Sequence, residues 1–180
     1  MRTAEDVIRF WFVEHGADDW FGGKAEFDAE LATQFAETHA RVALGEAWRW
    51  RETPEGRLAE IIVLDQFSRQ LHRGCPQAFA QDKMALALAQ EVIAAGADQA
   101  IPMDRRMFLF MPFQHSESLL IQEEGCRHFV QFGEDMLKFM TDHRDTIRRF
   151  GRFPFRNAVL GRQSTPAEVA YMEEQKDRVF

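Results

Sequence analysis

The chain has 180 residues, 46% of them hydrophobic and 28% charged, with a formal net charge of -7. That length suits one domain with a proper core, and the acidic balance argues against nucleic acid, because phosphate binding needs a field of Lys and Arg. No apolar run approaches the ~18 residues of a membrane span, and Met1 to Gly16 lacks the basic start and cleavage site of a signal peptide.

Taken in chain order, the pattern is helical almost throughout, with no convincing period-two alternation. Thr3 caps a first helix to about His15, with Glu5 and Asp6 in its first turn. Gly16–Gly23 reads as a loop. Lys24 to about Leu44 is a long helix carrying Phe27, Leu31, Phe35 and Val42, ended at Gly45. Thr53-Pro54 opens the next helix, which carries Leu58 to about Leu71 and breaks at Gly74-Cys75-Pro76. Gln77 to Ala95 is rich in helix formers and stops at Gly96. Met103 to Met111 is a short helix ended by Pro112. Ser116 is expected to cap a helix to about Phe132, followed by another from Glu134 to Phe150 that Gly151 ends. Thr165-Pro166-Ala167-Glu168 is a capping box for a last helix over about 166–176. Such a series predicts an all-α, single-domain array of about eight or nine helices over residues 1–180.

Phenylalanine is heavily used, 17 against one Tyr, which favours a dry aromatic interior. Cys75 and Cys126 have neither metal nor redox spacing, so they read as free thiols of a reduced, cytoplasmic protein. Charge is unevenly spread: residues 144–162 hold six arginines against one aspartate, net +5, leaving -12 for the rest. A cationic patch in an acidic chain either binds an anion or answers buried acids.

Several charges fall where apolar residues are expected. Asp65, Arg69 and His72 follow Leu58, Ile61 and Ile62 on one helical face, and Asp65 and Arg69 are four apart and can pair. Glu123 sits between Leu119 and Val130 on its wheel. His143 is the polar member of the stripe Met136, Met140, His143, Ile147, Phe150. Buried charge must be paired, so acids Asp65, Glu117 and Glu123 are expected to meet some of Arg69, Arg149, Arg152 and Arg156, near His115 and His143. Two readings follow: a polar ligand pocket, or a structural lattice in which arginines bridge helices. In the pocket reading, Arg152 and Arg156 hold a small anion, Asp65 orients Arg69, and His115, Glu117 and His143 offer donors or proton transfer. The bland alternative for His143 is a satisfied core histidine.

No cofactor or metal is expected. A metal could draw only on His115, Glu117 and His143, or on Glu124 and His128, without HExxH or a Cys/His cluster; a metal-dependent hydrolase is the weakest reading. Ser116 beside His115 reads first as a cap rather than a nucleophile. The other alternative is a non-catalytic module whose helical groove takes a protein partner.

Four separated motifs carry a family resemblance. They are Leu64-Asp65-Gln66-Phe67-Ser68-Arg69; Met111-Pro112-Phe113-Gln114-His115-Ser116-Glu117; Gln122-Glu123; and Phe150 to Asn157 with Leu160-Gly161-Arg162. Val7 to Phe12 with Trp20-Phe21, and Thr53-Pro54 with Gly56 and Leu58-Ala59, fit the same pattern. Over nearly its whole length the chain resembles the bacterial domain of unknown function family 924. The resemblance implies a tetratricopeptide-like all-α array with no established activity. It maps motif residues onto Asp65, Gln66, Arg69, Arg73, His115, Glu117, Glu123, His143, Arg152, Arg156, Asn157 and Arg162. The family pattern often has a histidine after the proline of the last motif. Phe155 stands there in this chain, so no mechanism can lean on a histidine at that position.

Overall fold

A computed structural model describes residues 1–176; residues 177–180 of the expected domain lie outside the described residues. No strand occurs among the described residues, and the protein is all-α. Its residues group into two compact units. The first comprises Met1–Arg73 and Gln77–Pro112, and the second Gly74–Pro76 and Phe113 onward.

In the first unit, α1 (Ala4–Arg9) opens on a capping box: the Thr3 hydroxyl accepts from the Asp6 N–H, and Asp6 accepts from the Thr3 N–H. It runs on as a π-helical turn, Phe10–Glu14. The expected loop after it contains a single helical turn, α2 (Ala17–Trp20). The amphipathic α3 (Ala25–Ala43) buries Phe27, Leu31, Phe35, Thr38, His39 and Val42. α4 (Pro54–Ile62) begins where the Thr53 hydroxyl accepts from Gly56 N–H, with proline where no donor is needed. A second π-helical turn, Val63–Phe67, joins α4 to α5 (Ser68–Leu71). The extra residue per turn shifts the helical face, and all five residues of the turn are buried, Asp65 and Gln66 included. α6 (Asp82–Ala94) packs against α4. Aromatic rings fill the interior: Phe10, Trp11, Phe35, Phe67 and Phe108 are almost wholly buried, each contributing roughly 1.5–3 kcal/mol of transfer free energy.

α7 (Met103–Gln114) does not stop at Pro112, as its sequence suggests; the helix continues through it to Gln114. The fixed φ of Pro112 is already helical, and what the helix gives up there is one backbone bond, the N–H that would have met the Phe108 carbonyl. Phe113 and Gln114 belong to the second unit.

In the second unit, α8 (Leu119–Phe129) packs along α9 (Glu134–Phe150). The contact is tight at Gly125, where a Cβ would lie 2.5 Å from Met140 Cε and 3.0 Å from Phe113 Cβ. α9 ends at Gly151, whose φ of 71° is left-handed and suits only glycine readily. A loop containing the 3-10 turn Pro154–Arg156 leads to α10 (Pro166–Glu174), which starts on the expected Thr165–Glu168 capping box.

α8 begins later than expected. Ser118, not Ser116, is its N-cap, and it makes no side-chain capping bond. The cause is the set of hydrogen bonds that holds residues 114–118.

Candidate functional site

Gln122, on α8, is fully buried, and its amide Nε2 donates to the carbonyls of Gln114 at 2.6 Å and Ser116 at 2.7 Å. These two residues flank His115, so one side chain holds the turn around that histidine. Glu117 ties the same turn to the arginine-rich loop. It accepts from the Phe153 N–H at 2.7 Å and from both terminal nitrogens of Arg162 at 2.8 and 3.0 Å. Arg162 also donates to Asn157 Oδ1 and the Phe153 carbonyl. Held from both sides, residues 115–118 cannot join α8. Burial acts to raise the Glu117 pKa, but the Arg162 and Phe153 hydrogen bonds and the charges of Arg162 and Arg156 hold it below the usual carboxylate range.

His143 is 3% exposed. Its Nδ1 lies 2.9 Å from the Phe139 carbonyl and its Nε2 3.4 Å from Gln114 Nε2. Its ring packs between those of Phe139 and Phe153. Burial pushes its pKa down to about 4, assisted by the charges of His115 and Arg156 and opposed by the Phe139 hydrogen bond. At pH 7 it is neutral; since a carbonyl only accepts, Nδ1 carries the proton and Nε2 is an acceptor. The half-buried Arg156 places its guanidinium 4.5 Å over the Phe153 ring. Arg156, His115, Glu117 and His143 thus form one electrostatic neighbourhood.

Arg152 is committed elsewhere. Its Nε and Nη2 reach the two oxygens of Glu168 at 2.6 and 2.9 Å, and Nη2 also donates to the Gln163 carbonyl. Glu168 is buried, and Arg152 with the Thr165 N–H holds its pKa far below the usual range.

Asp65 and Arg69 lie in the first unit. Arg69 Nη1 lies 3.1 Å from Asp65 Oδ1 and donates to the Asp65 carbonyl at 2.8 Å, while its fork spans Asp82 at 3.0 and 3.2 Å. Gln66 Nε2 donates to Asp65 Oδ2 at 2.6 Å. Asp65 and His143 are both buried, as their wheel positions require.

Glu123 departs from expectation. It faces solvent and pairs with Arg148, each side chain about half exposed; Leu119 and Val130, its neighbours on the wheel, are themselves exposed, because α8 buries the side that carries Gln122, Gly125 and Phe129. Arg149 meets rings instead of an acid, lying over Phe150 and Tyr171. Sequence reasoning missed Gln114 as a neighbour of His143 and Glu168 as the partner of Arg152. It read Glu168 only as a capping residue, which it also is. Also missed was His39 in the first unit, whose Nε2 lies 2.8 Å from Ser68 Oγ; its place between Phe35 and Val42 on α3 was the available signal. Among the described residues, no three His, Cys, Asp or Glu side chains are grouped to hold a metal ion, and no helix is long and apolar enough to cross a membrane.

The model of a family described as bacterial protein of unknown function (DUF924) matches residues 7–176. Among solved structures, the chain is similar to a protein of unknown function from Agrobacterium tumefaciens, ATU0120. The two share 39% identity and a TM-score of 0.91, over 95% of this chain and 97% of that one. No curated protein matches the chain. A match over residues 7–176, nearly the whole chain, places this chain in the bacterial DUF924 family.

Proposed function

We propose that this protein binds a small anionic molecule, a carboxylate or a phosphate, at the polar cluster of the second unit. The observation that carries the reading is the holding of His115. A buried glutamine bonds both flanking carbonyls, and Glu117 anchors the same turn to Arg162 and Phe153. Sites that bind or react need such support behind the groups that touch ligand. Arg156 supplies the positive charge, in the planar fork geometry that suits a carboxylate or phosphate. His115 can donate to the anion or move a proton at it, while the neutral His143, whose one N–H is committed to the Phe139 carbonyl, can only accept a proton at Nε2. Arg152 is scaffold in this reading, since its fork is closed on Glu168. So are Asp65 and Arg69, since Arg69 pairs with both Asp65 and Asp82. The two free cysteines suit a reducing, cytoplasmic location, and the tetratricopeptide-like arrangement implied by the family resemblance belongs to the same proposal.

The test is a thermal-shift titration with inorganic phosphate and with succinate. A ligand that binds only the native state raises Tm in a saturable way. Arg156→Gln is expected to remove the saturable rise and keep the fold. Arg152→Gln is expected to lower Tm without ligand yet keep the rise. A wild-type protein that no anion stabilises would overturn the reading in favour of the structural lattice.

A further inference from the structure

The side-chain oxygens of Gln114 and Gln122 are both buried and accept no hydrogen bond. Amide orientations are assigned from their surroundings, and here the surroundings leave no choice. Gln122 Nε2 faces two carbonyl oxygens at 2.6 and 2.7 Å. Turning the amide over would set oxygen against oxygen twice. Gln114 Nε2 faces His143 Nε2, which is a bare acceptor because Nδ1 carries the proton to the Phe139 carbonyl. Turning that amide over would set oxygen against a lone pair. The two unpaired acceptors are therefore fixed by the network around them.

They also lie close to the same turn. An amide oxygen sits ~2.3 Å from its nitrogen. Gln114 Oε1 is therefore within about 6 Å of His143 Nε2, and Gln122 Oε1 within about 5 Å of the Ser116 carbonyl. An unpaired buried acceptor is costly and uncommon in native interiors, and two beside one supported histidine call for a donor.

Resting on the anion-site reading above, we propose that the ligand carries a hydrogen-bond donor next to its acid group, with Gln114 Oε1 and Gln122 Oε1 accepting from it. The ligand class is then a hydroxy acid or an amino acid, not a plain carboxylate or inorganic phosphate. Arg156 takes the acid end, and the two glutamine oxygens read the hydroxyl or ammonium hydrogens. A site with fixed acceptors discriminates against an analogue without the donor, because the acceptors then stay unpaired.

The experiment compares succinate, methylsuccinate, malate (both enantiomers) and aspartate by calorimetric titration of the wild-type protein. Methylsuccinate controls for the size of the added group. Malate or aspartate is expected to bind about tenfold more tightly than succinate and methylsuccinate. Gln114→Met is expected to bring that ratio near one while binding of succinate persists, and Gln122→Met is the second variant should the first not fold. Equal wild-type affinities across the series would overturn this inference and leave the anion site standing. No binding by any of the acids would overturn both. A liganded crystal structure with an ordered water on each glutamine oxygen, and the ligand donor elsewhere, would also overturn it.

Discussion

The two units pair their buried polar groups to different degrees. In the first, the buried acids Glu60 and Asp65 close on cations of the same unit. Glu60, fully buried, takes both nitrogens of the Arg51 fork at 2.7 Å, and Asp65 and Asp82 share Arg69. His39 meets Ser68, whose hydroxyl donates onward to the Leu64 carbonyl. The unpaired donor there is the indole N–H of Trp11, and aromatic rings, which are weak acceptors, pack around that side chain. In the second unit, Glu117 and Glu168 are equally well answered, yet the oxygens of Gln114 and Gln122, beside His115 and His143, are left over, as is that of Gln175 after α10. A lattice built only for stability has no use for acceptors it cannot pair. The contrast supports the proposal that the cluster around His115 is more than scaffold.

The sharpest way to break the comparison is to open a closed pair in the first unit. Asp65→Ala leaves Asp82 as the carboxylate facing Arg69 and removes the carboxylate that Gln66 bonds, leaving that amide the weak acceptor Met111 Sδ. Stranding part of a buried charge costs roughly 3 kcal/mol or more, so the urea midpoint should fall by a large fraction of the whole stability. A loss no greater than that of a surface substitution would show that the first unit is not held by closed pairs.

A smaller effect comes from acid. His39 and His143, one in each unit, both have pKa values pushed down to about 4, chiefly by burial; the charge of His72 adds to the effect at His39. Between that value and the ~6.5 of an unfolded histidine, the unfolded chain binds more protons than the native one. Stability is therefore intact above pH ~6.5 and falls as pH drops towards 4, by at most about 1.4 kcal/mol per pH unit for each histidine. Urea midpoints measured from pH 7 to 5 should show that slope. His39→Gln and His143→Gln should each remove a share of it. A slope unaffected by both would mean the two rings are not held neutral.

How much of this was legible in the sequence follows from the range of each signal. Thr53-Pro54, Gly151 and the Thr165–Glu168 box act within one helical turn, and each falls where its chemistry demands. Helical periodicity placed Asp65 and His143 inside, because burial of a face repeats along the helix. Ser116 failed as a cap because its turn is fixed by Gln122 and by an arginine 45 residues from Glu117. No local pattern encodes such a tie. Glu168 as the partner of Arg152, sixteen residues away across a loop, was hidden for the same reason. The glutamines carried no charge to flag them, although Gln114 and Gln122 both stand within the family motifs.

The smallest predicted effect tests where the second unit's network ends. Glu123 and Arg148 are bonded at 3.2 Å, but their side chains are 48% and 49% exposed, and Arg148 also reaches Asp145. An exposed pair gains little Coulomb energy in water and loses side-chain freedom. Glu123→Ala should shift Tm by no more than about 1–2 °C, and succinate titration of the variant should match wild type. Arg162→Gln should behave differently. Arg162 holds Glu117, and with it the turn that carries His115, so its loss should weaken succinate binding as well as lower Tm. If the two variants behaved alike, with small Tm shifts and unchanged binding, His115 would not depend on the Glu117–Arg162 anchor. The distinction between supporting network and solvated surface would then have to be drawn closer in, at Gln122.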